Sequence, residues 1–314
     1  MKALLNILQG FKTVKSAGRL VVFLYLINLG FSMILAVPMY NSLAESLGRS
    51  QAGENMARGF DYLWWEEYRD RGHGLAATFG PSVIGRGALL NNLEGLLQMK
   101  WTELPAEVLA AFLIYILLHT FLAGGVLFLY REGPSGFSLR RFLDGALGYF
   151  PSFLGLTLLS WVFFFGVGFL LVPQLTELVR NISANSLTEK AGLWAGLAAS
   201  LATWVLFMLI QMVFDYARIK TVLEERRNIF RAFAEGLAFS LKHPLATLCL
   251  YSILWAAGLV LSVVYVVLQE SLAPSGPGGA LLAFAGQQVF ILGLVGLRCW
   301  TYAAELHLAR FFRT

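Results

Sequence analysis

Charge is scarce in this chain. Charged residues make up 14 % of its 314 positions and hydrophobic ones 57 %, whereas soluble domains carry roughly a quarter and roughly half. A water-soluble globule is thereby excluded, and an all-α polytopic membrane bundle is expected. Cysteine is scarcer still. Cys249 and Cys299 are the only two, one inside an apolar run and the other two residues past the end of one. That argues against a disulfide framework or a zinc site and leaves them as small membrane-buried residues. The chain also lacks GxSxG, HExxH, paired CxxC and the phosphate-cradling GxxxxGK[ST], sequences whose spacing positions a nucleophile, a metal or a phosphate. His73 with Glu66 or Glu67 would make an acid/base pair, but nothing in the sequence positions them. No catalytic residue, cofactor or metal site is expected.

What the chain does have is length in its apolar runs. Six of them, 20–40, 108–130, 152–172, 191–214, 244–269 and 279–297, reach about the 20 residues that a helix needs to cross a ~30 Å hydrocarbon core. The first is expected to end at Pro38. It is preceded by Lys2, Lys12, Lys15 and Arg19 and followed by Ser42-Leu43-Ala44, which resembles a signal cleavage site. At 21 residues, however, the run exceeds the usual 7 to 15 of a signal core.

The net charge of +5 would suggest nucleic acid in a soluble protein; here its cause is topological. The N-terminus, the second and fourth connections and the C-terminus together hold 16 Lys+Arg against 7 Asp+Glu, and the other three connections 8 against 12. Basic residues accumulate on the cytoplasmic side of membrane proteins. The expected product is a multi-pass inner-membrane protein with both termini cytoplasmic and residues 41–107 outside. That insert holds a charged aromatic stretch at 60–71 and an amphipathic one at 87–98. Trp64 and Trp65 stand either in an interfacial aromatic belt or on a surface for a membrane or periplasmic protein partner.

Two segments share a motif 91 residues apart: Arg140-x-Phe142-x-Asp144-Gly145 and Arg231-x-Phe233-x-Glu235-Gly236. Both read as elbow helices lying on the membrane surface, with Phe230, Phe233, Leu237 and Leu241 sunk toward the acyl chains. Arg140, Arg141, Arg227 and Arg231 would then face anionic lipid headgroups, each for about 1 kcal/mol. Residues 1–19, with Leu4, Leu5, Leu8, Phe11 and Val14 on one side, form a further interfacial helix. Tyr130, Tyr216 and Tyr302 recur 86 residues apart, each with an aromatic two positions earlier. With a degenerate elbow at Leu8-Gln9-Gly10, these point to three hairpin units at about 1–130, 137–217 and 225–310. Gly192, Gly196 and Ser200 on the fourth run, and Gly286, Gly293 and Gly296 on the sixth, would permit close helix approach.

Polar residues inside the runs are few. His119, near the middle of the second run, is the sharpest, because an ionisable group in hydrocarbon is costly and faces the bundle interior. A bond to Asn28, Thr120 or a carbonyl would satisfy it structurally, while a solute or proton path would use it functionally. Gln211, Gln287 and Gln288 read as glue between helices, and Arg298 as an anchor snorkelling to the surface.

The plan of elbow, hairpin and a Tyr216-Ala217-Arg218 exit followed by basic residues resembles uncharacterised six-helix bacterial membrane families, among them the membrane domain found beside some glycerophosphodiester phosphodiesterases. The resemblance covers mainly 137–310 and implies a six-helix domain without an assigned activity. Mitochondrial carriers are similar in having three two-helix repeats, but their P-x-[DE]-x-x-[KR] signature is absent after Pro38 and Pro173. The leading expectation is a non-enzymatic scaffold or accessory protein contacting lipids or protein partners. A small-solute or ion transporter built around His119 and Asn28 comes second, and an intramembrane enzyme last.

Overall fold

The computed structural model describes residues 2–48, 53, 61–80, 106–133, 137–186, 188–225, 228–271 and 277–313. The amphipathic stretch expected at 87–98, and Arg227, lie outside the described residues. Ten α-helices follow one another among the described residues: α1 (Lys2–Ser16), α2 (Gly18–Leu47), α3 (Tyr62–Arg71), α4 (Ala106–Glu132), α5 (Leu139–Gly166), α6 (Val172–Asn185), α7 (Glu189–Glu224), α8 (Ile229–Lys242), α9 (Pro244–Ser271) and α10 (Pro277–Phe311). A π-helical turn, Val167–Leu171, joins α5 to α6, making one rod. That rod and α2, α4, α7, α9 and α10 are the six segments long and apolar enough to cross a membrane. The chain is an all-α, multi-pass membrane protein.

Two prolines lie inside helices, one of them where a crossing was expected to end. Pro38 does not end the first crossing; it sits inside α2, which runs on to Leu47. Pro151 lies inside α5, so the basic segment at Arg140 and Arg141 is the first turn of a continuous crossing and not a separate elbow. In a membrane helix every backbone group left unbonded is expensive, so the chain bends around a proline more readily than it unwinds. A separate elbow does exist at α8. Asn228 caps it, its side chain accepting from the Arg231 backbone N–H at 3.1 Å. Pro244 then opens α9, at a position where its missing N–H is no loss.

One end of the bundle carries α1, α8 and the start of α5; we call it the elbow end. Here α4, α7 and α10 come together, and Tyr130, Tyr216 and Tyr302 are all buried in one core. Glycines let the backbones meet. A Cβ on Gly10 of α1 would lie 2.7 Å from the Ala304 nitrogen of α10, and one on Gly236 of α8 would lie 2.6 Å from the Ala217 nitrogen of α7. Gly145 of α5 is pressed against Phe128 of α4, and Gly125 of α4 against the Phe142 ring. The aromatic residue two before each tyrosine also reaches these partners. Trp300 donates its indole N–H to the Ile7 carbonyl at 2.7 Å, Phe214 stacks on Phe233 with ring centroids 5.1 Å apart, and Phe128 meets Gly145. Arginines close the helix C-termini, whose last carbonyls lack partners within the helix. Arg131 donates to the Val222 carbonyl at 3.1 Å, Arg310 to that of Arg131 at 2.6 Å and Arg313 to that of Leu223 at 3.0 Å.

Toward the opposite, loop end the contacts are those of antiparallel helix pairs: Phe31 with Tyr115, Phe164 with Phe207, and Tyr265 stacked on Phe290. Gly192 faces Ser183, and Gly293 faces Leu261. Leu193, Trp194, Leu201, Leu281 and Leu282 are exposed here, as suits surfaces turned to lipid. The helix α3 builds a small core of its own from Trp64, Tyr68 and Phe79 against Leu43 and Leu47 of α2.

Candidate functional site

His119 sits in the middle of α4, and Asn28 faces it from α2. The Asn28 amide nitrogen donates to the Leu24 carbonyl at 2.9 Å. That leaves its oxygen to accept from His119 Nε2, also at 2.9 Å. Tyr115, one turn earlier on α4, packs against the imidazole with ring centroids 4.0 Å apart. The pair forms one wall of a cavity of about 350 Å³, within the range of small-ligand sites. Its polar lining comes from five crossings: Asn28 on α2; His119 and Thr120 on α4; Thr157 and Ser160 on α5; Gln211 and Arg218 on α7; Arg298 and Tyr302 on α10. Its lining spans from the His119 level of α4 to Tyr302 of α10.

The other wall is a charge cluster. Asp215, fully buried on α7, is clamped by Arg298 of α10, which donates Nη1 to Oδ2 and Nη2 to Oδ1, both at 2.8 Å. Arg298 also donates to the Tyr302 hydroxyl at 2.9 Å. Arg218, one turn after Asp215, donates Nη1 to Asp215 Oδ1 at 3.0 Å and Nη2 to Thr157 Oγ1 at 3.1 Å. Gln211, one turn before, donates its amide to the same carboxylate at 3.3 Å. Thr157 in turn shares a hydrogen bond with Thr120 of α4 at 3.3 Å. A fork-to-fork arginine–carboxylate pair is directional, so the two helices can meet in one register. Arg298 is therefore not the snorkelling surface anchor expected from its place at the end of an apolar run.

Sequence reasoning paired His119 with Asn28 but missed Asp215, Arg218 and Arg298, which apolarity counts assign to the connections. A signal was present in the 86-residue register. Asp215 stands one position before Tyr216 and Arg298 four before Tyr302, so helices that meet at their tyrosines bring these charges within a turn of each other. Glu305, one turn beyond Tyr302, is also fully buried, and among the described residues its carboxylate oxygens have no hydrogen-bond partner.

The remaining expected site residues lie elsewhere. Arg140 is exposed on the first turn of α5; Arg141 pairs with Glu132 at 3.4 Å and Arg231 with Glu235 at 3.1 Å. Trp64 is 7 % exposed, with its indole donating to Ser46 Oγ at 3.1 Å, and Trp65 donates to the Phe79 carbonyl at 2.9 Å. Trp64 thus serves the insert's own core and offers no outer surface. His73 donates to the Arg71 carbonyl and Glu67 pairs with Arg71, so His73 and Glu67 are not bonded to one another as an acid/base pair. Gln288 accepts from the Tyr25 hydroxyl at 2.8 Å, linking α10 to α2. Among the described residues no group of three His, Cys, Asp or Glu could hold a metal ion. No family model, no curated protein and no solved structure matches this chain.

Proposed function

We propose that the protein is a non-enzymatic inner-membrane solute handler of the transporter class, whose ligand occupies the cavity between His119–Asn28 and Arg218–Arg298. One observation carries this reading: polar side chains from five separate crossings converge on a single cavity of about 350 Å³. Polar groups placed in the hydrocarbon region are costly and mark solute pathways, and packing alone would have filled such a space with apolar side chains. In this reading the elbow end faces the cytoplasm, because the basic side of a membrane protein is retained there, and Arg140 and Arg231 meet anionic headgroups. The three hairpins form one domain around the cavity.

The test uses Val295, an apolar lining residue outside the polar network. In a chain carrying Cys249→Ser and Cys299→Ser, Val295→Cys should react with a small water-soluble maleimide in membrane vesicles. A cysteine inert from both sides of the membrane would return the protein to the scaffold reading. Orientation is checked separately: Lys242→Cys on α8 should label from the cytoplasmic side and Leu63→Cys on α3 from the other, and labelling of both from one side would reject the proposed topology.

A second reading, an accessory subunit with a membrane or periplasmic partner, is favoured by Leu63 and Tyr62, which are 82 % and 61 % exposed on α3. It predicts that Leu63→Asp shrinks the complex extracted in mild detergent. An unchanged complex size removes it.

A further inference from the structure

We infer that the ligand of this cavity is a small oxyanion, a carboxylate or phosphate compound; the inference rests on the solute-handling reading above. The lining contains two guanidinium groups, Arg218 and Arg298, and no Asp or Glu. Their bonded counter-charge, Asp215, is fully buried behind them and does not itself line the cavity. Its Oδ1 accepts from Arg298 at 2.8 Å, Arg218 at 3.0 Å and Gln211 at 3.3 Å, and its Oδ2 accepts from Arg298 at 2.8 Å. A ligand that brought N–H or O–H donors would find this carboxylate already held by Arg298, Arg218 and Gln211 and outside the lining. A ligand that brought acceptors would find two guanidinium groups on the lining and one carboxylate bonded to them.

The arginines themselves are not used up. Arg218 lines the cavity and gives one N–H of each Nη, to Asp215 and to Thr157, so a second N–H on each Nη is left to donate to an anion. Tyr302 accepts from Arg298, which frees its own hydroxyl proton to donate. On the opposite wall, Asn28 accepts from His119 Nε2, so that this pair also presents no carboxylate. A planar fork matches carboxylate and phosphate oxygens alike, so the two chemistries are separated by experiment and not by the geometry. Glu305, the other buried acid near the cluster, lies a turn past Tyr302 and does not line the cavity.

The Val295→Cys protein supplies the readout. Its alkylation rate is measured at matched ionic strength with succinate, inorganic phosphate, glucose or putrescine present, in a background with and without Arg218→Gln. The inference expects succinate or phosphate to slow alkylation at least several-fold, glucose and putrescine to leave it unchanged, and Arg218→Gln to abolish the protection. Which of the two anions protects identifies the headgroup. Should Arg218→Gln fail to fold, Arg218→Lys, which keeps the charge but not the fork, should weaken the protection. Protection by glucose or putrescine would keep the cavity as a solute site and overturn its anion selectivity. A cysteine that reacts but is protected by none of the four overturns the anion inference. Anion protection undiminished by the Arg218 variants places the anion elsewhere and overturns it too. A cysteine that never reacts overturns the solute-handling reading itself.

Discussion

The two ends of this bundle are built on different principles. At the elbow end the helices touch through glycine and alanine, with Gly10 on Ala304 and Gly236 on Ala217. Buried ions and hydrogen bonds tie α4, α7 and α10 into one unit. At the loop end the same helices form pairs held by aromatic contacts, such as Tyr265 on Phe290, and they turn leucines outward. Lipid tails are as apolar as leucine, so side-chain hydrophobicity gives no reason for helices to gather in a membrane; close backbone approach and polar bonds do. The pairs accordingly converge where small residues and charges are concentrated and separate where they are not.

If the charge cluster is what holds α7 to α10, its removal should give the largest effect. Asp215→Asn leaves the buried Arg218 and the part-buried Arg298 without their bonded counter-ion and should cost about 3–5 kcal/mol, read as a fall in the unfolding midpoint in detergent micelles; a loss below about 1 kcal/mol would show that the cluster is incidental to the elbow end. Next in size are the glycine contacts. Gly236→Leu forces a side chain onto the Ala217 backbone and should cost about 1–3 kcal/mol, whereas Gly196→Leu at the loop end, whose Cβ would meet only Val179 at 3.9 Å, should cost less than about 0.5 kcal/mol. Equal costs at the two glycines would erase the distinction between the ends.

Trp64→Ala probes the insert's own core. Because Trp64, Tyr68 and Phe79 form a cluster separate from the bundle core, the change should open α3 locally. Limited proteolysis would cut near 62–71 while the bundle's midpoint stays within a degree or so of wild type. A matching fall in the midpoint would mean that the insert and the bundle unfold together. The smallest effect is expected at His119→Gln, which keeps a donor toward Asn28 but changes its reach. Interhelical hydrogen bonds of this kind are worth about 0.6 kcal/mol and at most about 2, so thermal unfolding should move only slightly. A loss comparable to that of Asp215→Asn would place the organising centre at His119 instead of at the charges.

Much of this was legible in the residues. Six crossings follow from run length alone, because hydrocarbon thickness sets it. The elbow at α8 follows from the Phe/Leu stripe and from the run that opens at Pro244; its cap, Asn228, is seen only in the structure. The bond between His119 and Asn28 was among the partners a polar side chain in lipid would need. Less legible were the places where an apolar run ends and the helix does not. Pro38, the start of the third run at 152 and the end of the sixth at 297 all read as boundaries, yet each lies within a helix. Asp215 and Arg218 were counted as connection charges, and Arg298 as a surface anchor, for the same reason.

Composition and periodicity by themselves determined that the chain is helical, how many times it can cross a membrane and which few polar groups need partners. They did so because hydrogen-bond satisfaction and apolar length are local constraints, read one helix at a time. The tertiary structure alone decided that two arginines from different helices share one aspartate, that Trp64 turns inward, and that a cavity opens between His119 and the arginine pair. Each of these depends on which residues three helices bring to the same depth, and a neutralised charge looks the same in sequence as a solvated one until its partner is in place.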